Sequence, residues 1–401
     1  MASSMDLSNN RRQLLGMAAS AALIYASDAF AQRTYDLVIK GGRVIDPAQN
    51  VNSEMDVAIS GDRIAMVGPS IAPGDARVLN ATGKLVVPGL IDIHTHMTQA
   101  PEPEGDALVL AEGVTGWIDA GSRGADNIDA AISLARAAPQ TAAVLVNIGR
   151  GGMGGGHGDA LDLKLADVAA CRAAIAAHRD VVVGVKARLD PHNAGEHDLE
   201  NLRRAEAATE PSGLPVMIHI GNTYSPMGPI LNLLKRGDIV THVLCPPPHN
   251  VFDDSGRLIP ELLAAQERGV IMDVGHGENR HFSWALAEQA LKQGFVPNTT
   301  STDWTKRGHD DGTLALPTMM SNLLAIGIPL ERVVAMATIT AANCFSTFKG
   351  RGTLKPGAPA DVAVLDLRQG NFELIDSLRV TRQANQKLFS VSTIIGGKIL
   401  W

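Results

Sequence analysis

Cysteine is scarce: Cys171, Cys245 and Cys344 are all there is in 401 residues. An odd, widely spaced set without a C-x-x-C pair excludes a disulfide framework and a cysteine-built metal site, and leaves buried free thiols as the expectation. Excess positive charge is also lacking. Lys and Arg number 35 against 42 Asp and Glu, giving a net charge of −7 with no block of like charges. That argues against nucleic acid or an anionic membrane as a partner. The apolar stretch Leu14–Ala26 is too short to span a bilayer. What remains is a chain with 45% hydrophobic and 19% charged residues, the profile of a soluble globular protein with core enough for one large domain or two ordinary ones.

The short apolar stretch fits an export signal. Arg11 and Arg12 precede it, and "AFAQ" offers an A-x-A cleavage site after Ala31. The paired arginines resemble a twin-arginine signal. Residues 1–31 are therefore expected to be removed, leaving a periplasmic or secreted protein with no membrane contact after cleavage. Asp6, Asp28, Arg11 and Arg12 leave together, so the mature charge stays at −7.

Two kinds of patterning divide the rest. "YDLVIKGGRVIDP" and "VAISGDRIAMVG" near one end, and "RGTLKPGAPADVAVLDL" and "VSTIIGGKILW" at the other, read as short strands broken by glycine turns. They predict a small β-sandwich domain built from both termini, residues 32–86 and 351–401. Over 87–350, apolar strand-like runs alternate with alanine-rich helical segments such as "ADVAACRAAIAAHRD". The runs are "LIDIHTH", "GVTGWIDAG", "AAVLVNIG", "VVVGVKARL", "PVMIHIG", "DIVTHVL", "VIMDVGHG" and "NTTSTDW". Eight strand–helix repeats predict an α/β fold of the (β/α)8 TIM-barrel type, with an open doubly wound sheet as the alternative.

The polar residues fall at the ends of those runs, where a barrel places its active site. They are His94 and His96 (run 1), Lys186 (run 4), His219 (run 5), His242 (run 6) and Asp303 (run 8). Strand side chains alternate, so His94 and His96 share a face and can chelate one ion. An isolated H-x-H equally suits a surface pair; the strand context favours a metal. Lys186 is out of place beside two cations unless its amine is neutral and has reacted with carbon dioxide. The resulting carbamate is an anion with one oxygen for each of two metals. The plain alternative is a buried lysine paired with a carboxylate. Asp92 is either a hydrogen-bond partner of His94 or simply a strand-end acid.

Taken together, these motifs resemble the amidohydrolase superfamily, in its deacetylase-like branch related to dihydroorotases and D-aminoacylases. "PGLIDIHTH", "AEGVTGWIDAGS", "GVKARL", "VMIHIGN", "DIVTHVL", "STDW" and "GTLKPGAPADVAVLDL" carry the likeness across nearly the whole mature chain. The proline-rich "THVLCPPPHN" and the glycine-rich "GRGGMGGGHGD" depart from it. The resemblance implies two divalent ions, zinc being the expected metal. His94, His96 and Asp303 would hold one, His219 and His242 the other, with the Lys186 carbamate and a hydroxide bridging them. Asp303 would be the general base and acid. It implies a small-molecule substrate bearing an amide or ester bond, such as an N-acyl amino acid or an acylated 2-hydroxy acid. Cyclic amide opening, phosphotriester cleavage and a non-catalytic scaffold are the alternatives. A carboxylate on that substrate would be held by Arg188, two residues beyond Lys186, with Arg150 as a competing anchor. His276 either touches substrate or is a loop histidine. The glycine run from Gly151 to Gly158 lacks a phosphate-loop pattern and is expected to be a mobile lid. His157, His192, His197, His249, His281 and His309 are expected to be solvated loop residues. The sequence is open to a homo-oligomer.

Overall fold

A computed structural model describes residues 34–99, 109–153, 158–278 and 280–401. The expected signal over residues 1–31 and the centre of the glycine-rich loop lie outside the described residues. Five strands open the described chain: β1 (Leu37–Asp46), β2 (Val51–Ser60), β3 (Arg63–Gly68), β4 (Arg77–Asn80) and β5 (Leu85–Pro88). Seven more follow with helices between them: β6 (Leu90–Thr95), β7 (Val114–Gly124), β8 (Thr141–Asn147), β9 (Val182–Arg188), β10 (Val216–His219), β11 (Ile239–Thr241) and β12 (Ile271–Met272). The long hairpin β13 (Val362–Ile375) and β14 (Thr381–Ile395) and the short β15 (Lys398–Ile399) complete the set.

The strands sort into two sheets. β15, β14, β13, β5, β1, β2 and β3 neighbour one another in that order, with β4 also paired to β1. Both ends of the chain therefore meet at the pairing of β5 with β13. Ile39, Val57, Ile59, Val86, Val362, Val364 and Ile394 form the apolar core of this sheet.

The second sheet is parallel throughout and runs β6 to β12 in sequence order. Closure comes from the eighth run. "NTTSTDW" is no continuous strand, because its side chains and backbone are engaged piecemeal: Thr299 bridges Asp273 beyond β12, and Trp304 bridges Thr95 of β6. Both bridges are parallel, so the sheet curls into a TIM barrel. Inside it, Ile91, Ile118, Leu145, Val183, Met217 and Ile239 pack with Phe345 and Phe348. A second cluster, including Trp117, Val144, Val182, Ile218 and Val240, packs the outer face against the helices. The alternating two-sided burial explains why the barrel strands read as nearly continuous apolar runs.

Asp56 ties the small sheet together. Its buried carboxylate accepts from Lys40 Nζ (2.6 Å), Gly41 N (2.8 Å) and Ile71 N (2.8 Å). Burial alone would raise its pKa, but the Lys40 hydrogen bond and the two amides outweigh it and hold the carboxyl below 3.8. Asp56→Ala strands these donors and is expected to cost about 1–3 kcal/mol in urea unfolding. Because the folded value is lowered, the wild-type contribution is present above pH 3.8 and is lost as pH falls through the folded value. The difference between wild type and Asp56→Ala should shrink accordingly in acid.

Candidate metal centre

The strand ends aim six polar side chains at one point. His94 is the fifth residue of β6, and His96 lies just past its end. Lys186 sits inside β9, His219 ends β10, and His242 follows β11 directly. His242 and Asp303 hold left-handed backbone, with φ of 65° and 56°. Non-glycine residues seldom adopt this, and such strain persists where the surroundings over-determine it.

Asp303 is the hub. Its Oδ1 lies 3.1 Å from His94 Nε2 and 3.0 Å from His96 Nε2. Its Oδ2 faces His281 Nδ1 at 3.3 Å and His242 Nε2 at 4.0 Å. His242 Nε2 is 3.1 Å from His219 Nδ1, and His242 Nδ1 is 2.5 Å from the Gly275 carbonyl. That carbonyl requires the proton on Nδ1, leaving the Nε2 lone pair turned towards His219. Lys186 is wholly buried; its Nζ contacts His94 Nε2 at 3.0 Å and Met217 Sδ at 3.5 Å, and no carboxylate pairs with it among the described residues.

Burial sets the charges. It pushes His94 down to about 3, with the Lys186 charge adding to the effect, and holds His219 and His242 well below the ordinary imidazole range. It brings Lys186 down to about 7. Burial would raise Asp303, but His94 and the other imidazoles gathered around it, His281 and His96, keep it well below the usual carboxylate range. Neutral imidazoles with converging lone pairs, an ionised carboxylate and a readily neutralised amine are the protonation states that divalent metal binding requires. Two groups can each hold an ion, His94–His96–Asp303 and His219–His242–His281, with ligand atoms within 4.8 Å of one another in each group.

His281 was expected to be a solvated loop residue. Instead its ring stacks on His242, with centroids 3.8 Å apart, and meets His219 edge-on. The signal was a second histidine in "VGHGENRHF". Spacing could not place it, because left-handed turns at Gly275, Gly277 and Arg280 fold it back over the mouth. His276, the histidine singled out from that stretch, points elsewhere. It is buried between Asn322 (3.0 Å) and the Gly277 carbonyl (3.1 Å), stacked on Phe282.

The mouth opens into a cavity of about 560 Å³ lined by His219, His281, Arg188, Asn193, Pro246–Pro248 and Arg280, among others. Arg188 does face it, but its fork is already taken. Nε and Nη2 grip buried Asp159 at 2.7 and 2.6 Å, and Nη2 also donates to Asn193. Arg150 lies outside the lining and pairs with Asp126 and Asp167 on the surface. Arg280 is exposed and makes no ion pair among the described residues. At the described edges of the glycine-rich loop, a Cβ on Gly152 would sit 2.6 Å from Gly124 N, so close backbone contact accounts for that glycine.

A model of the amidohydrolase family matches residues 283–400. A deacetylase from Enterococcus faecalis is 30% identical over 91% of this chain and 99% of its own length. The chain belongs to the amidohydrolase family. A second relative, a deacetylase from Agrobacterium fabrum, is 27% identical over 81% of each chain. Among solved structures, an adenine deaminase superposes with TM-score 0.83 at 30% identity, covering 91% of this chain and 99% of its own. A dihydroorotase gives 0.79 at 25% identity, covering 91% and 98%. This amidohydrolase is a metal-dependent hydrolase acting on C–N bonds, and its histidine and aspartate groups suit the divalent ions its family commonly binds.

The packing of the mouth is testable at Gly277. A Cβ there would lie 2.2 Å from His281 Nδ1 and 2.7 Å from Asp303 Oδ2, at a φ of +57°. Gly277→Ala should keep the far-ultraviolet circular dichroism of the wild type. It should lose on the order of a hundredfold in kcat/KM, as misplacement of reacting groups by an ångström does.

Proposed function

We propose that this amidohydrolase is a binuclear deacylase that cleaves the amide or ester bond of an N-acyl amino acid or acylated 2-hydroxy acid. The observation that carries this reading is Lys186: a fully buried amine without a carboxylate partner among the described residues, in contact with His94 of one metal-competent group and acting electrostatically on His219 of the other. His94, His96 and Asp303 would hold one ion, and His219 and His242 the other. Lys186, as a carbamate, would span both. Bound divalent ions, zinc being the expected metal, would supply a nucleophile at neutral pH and polarise the acyl carbonyl. Asp303 does the proton work. Its Oδ1 is committed towards His94 and His96, so Oδ2, on the side of His281, takes the proton of the attacking water and returns it to the departing nitrogen or oxygen.

The cavity wall supports a substrate that carries a carboxylate. Asp159 neutralises Arg188, so Arg280, which makes no ion pair among the described residues, is the lining arginine available to meet a substrate carboxylate. The similarity to two deacetylases supports deacylation. The dihydroorotase likeness keeps cyclic amide opening as the second reading, and turnover of dihydroorotate in preference to N-acyl amino acids would establish it. Residues 1–31 are proposed to direct export, and residues 32–86 with 351–401 to form the smaller domain beside the 87–350 barrel.

Metal analysis of the purified protein should find close to two divalent ions per chain. Lys186→Ala should lose both metal and activity, and acetate or propionate should partly restore them by replacing the carbamate. Full activity at one ion per chain, or wild-type turnover and metal content in Lys186→Ala, contradicts the binuclear reading. For the carboxylate, kcat/KM for an acylated acid is compared with that for its methyl ester. A charge-assisted hydrogen bond contributes roughly 1.5–3 kcal/mol, so Arg280→Met should erase about a tenfold or greater preference for the free acid. An unchanged ratio removes Arg280 from substrate binding.

A further inference from the structure

Each histidine of the H-x-H pair has a buried hydroxyl behind it, and each hydroxyl has a buried carboxylate behind that. His94 Nδ1 lies 2.9 Å from Thr241 Oγ1, which lies 2.8 Å from Asp273 Oδ2. His96 Nδ1 lies 2.9 Å from Ser122 Oγ, which lies 3.0 Å from Asp119 Oδ2. All six residues are almost wholly buried.

Counting protons fixes the direction of both chains. A hydroxyl has one proton to give. Asp273 receives Thr299 Oγ1 on Oδ1 (2.8 Å) and Thr241 and Ser301 Oγ (2.6 Å) on Oδ2. Three hydroxyls surround two carboxylate oxygens, and no Lys or Arg pairs with Asp273 among the described residues. Asp119 receives Thr98 N and Oγ1, Ser122 N and Ser122 Oγ. Thr241 and Ser122 thus spend their protons on the carboxylates, and their oxygens accept from the histidines. Both imidazoles must carry the proton on Nδ1, which leaves each Nε2 lone pair facing Asp303 Oδ1.

We propose that Asp273 and Asp119 are positioning residues that act through Thr241 and Ser122 to lock His94 and His96 as Nε2 donors. The consequence for metal affinity rests on the metallohydrolase reading above; the tautomer assignment does not. Interposing a hydroxyl orients the ring without placing a carboxylate directly against it. Gly275 makes room for the relay, since a Cβ there would lie 2.0 Å from Thr241 Oγ1. The end of β11 serves both ion sites, Thr241 through His94 and its neighbour His242 directly.

The test uses the full chain. In metal-free protein, long-range proton–nitrogen correlation of labelled imidazoles should show His94 and His96 as neutral Nδ1–H tautomers. Thr241→Val and Ser122→Ala should each lower zinc affinity about 10- to 100-fold in chelator competition, the usual effect of losing a partner behind a metal-binding histidine. Thr241→Ser should restore it, which a purely volumetric role would not predict. Nε2–H tautomers in the wild type overturn the proposal, as do valine and alanine variants that keep wild-type zinc affinity. If Thr241→Val does not fold, the wild-type tautomers and Ser122→Ala decide the matter. A wild type that binds no zinc counts against the metallohydrolase reading, and the tautomers still decide the relay.

Discussion

Two backbone hydrogen bonds, from Trp304 N to the His94 carbonyl and from His96 N to the Trp304 carbonyl, carry the eighth barrel segment across to the first strand. Asp303 immediately precedes this doubly anchored Trp304, and its neighbours have little freedom. Thr302 donates to Asp92, which also accepts the amide of His94, so one buried carboxyl clamps both segments. Asp92 therefore serves the backbone and not an imidazole, and burial pushes it up to about 8. The left-handed backbone at Asp303 is sustained by this closure. Without it, the carboxylate would not lie within contact of two histidines from another strand.

Desolvation does the next part. A cluster of histidines, a lysine and an aspartate in water would hold a mixture of protonation states. Enclosed by the barrel, the imidazoles of His94, His219 and His242 are driven neutral and the lysine amine is brought close to neutrality, while Asp303 keeps its charge because the rings around it favour that form. The same burial makes every unpaired donor costly, which explains the hydroxyl-rich lining of Thr241, Thr299, Ser301, Thr302 and Ser122 around the carboxylates. A barrel interior is normally a packed apolar core. Here the apolar layer of Ile91, Ile118, Leu145 and Met217 is kept, and the polar layer is confined to the strand ends.

Two of the arginines considered as substrate anchors are held by carboxylates. Arg188 is spent on Asp159 and Asn193, and Arg150 on Asp126 and Asp167. The cavity is lined by prolines 246–248, by Arg188 with its partner Asn193, and by Arg280, among others. Specificity would then reside in loops, and chemistry in the strand ends, the usual division of labour in this architecture.

The barrel, the terminal sheet and the placement of His94, His96, Lys186, His219, His242 and Asp303 at or beside the ends of barrel segments were legible in the chain alone. Strand periodicity and the position of a polar residue at the end of an apolar run are local signals, and local signals survive in one dimension. The eighth segment was legible as a run but not as an irregular one, because its shape depends on Asp92 and Asp273 taking its hydroxyls from other strands. His281 in place of His276, Asp159 as the partner of Arg188, and the carboxylates behind Thr241 and Ser122 were decided only in three dimensions. Each depends on a loop turn or on a contact between segments distant in sequence. A periodicity of two or of 3.6 residues carries no information about either.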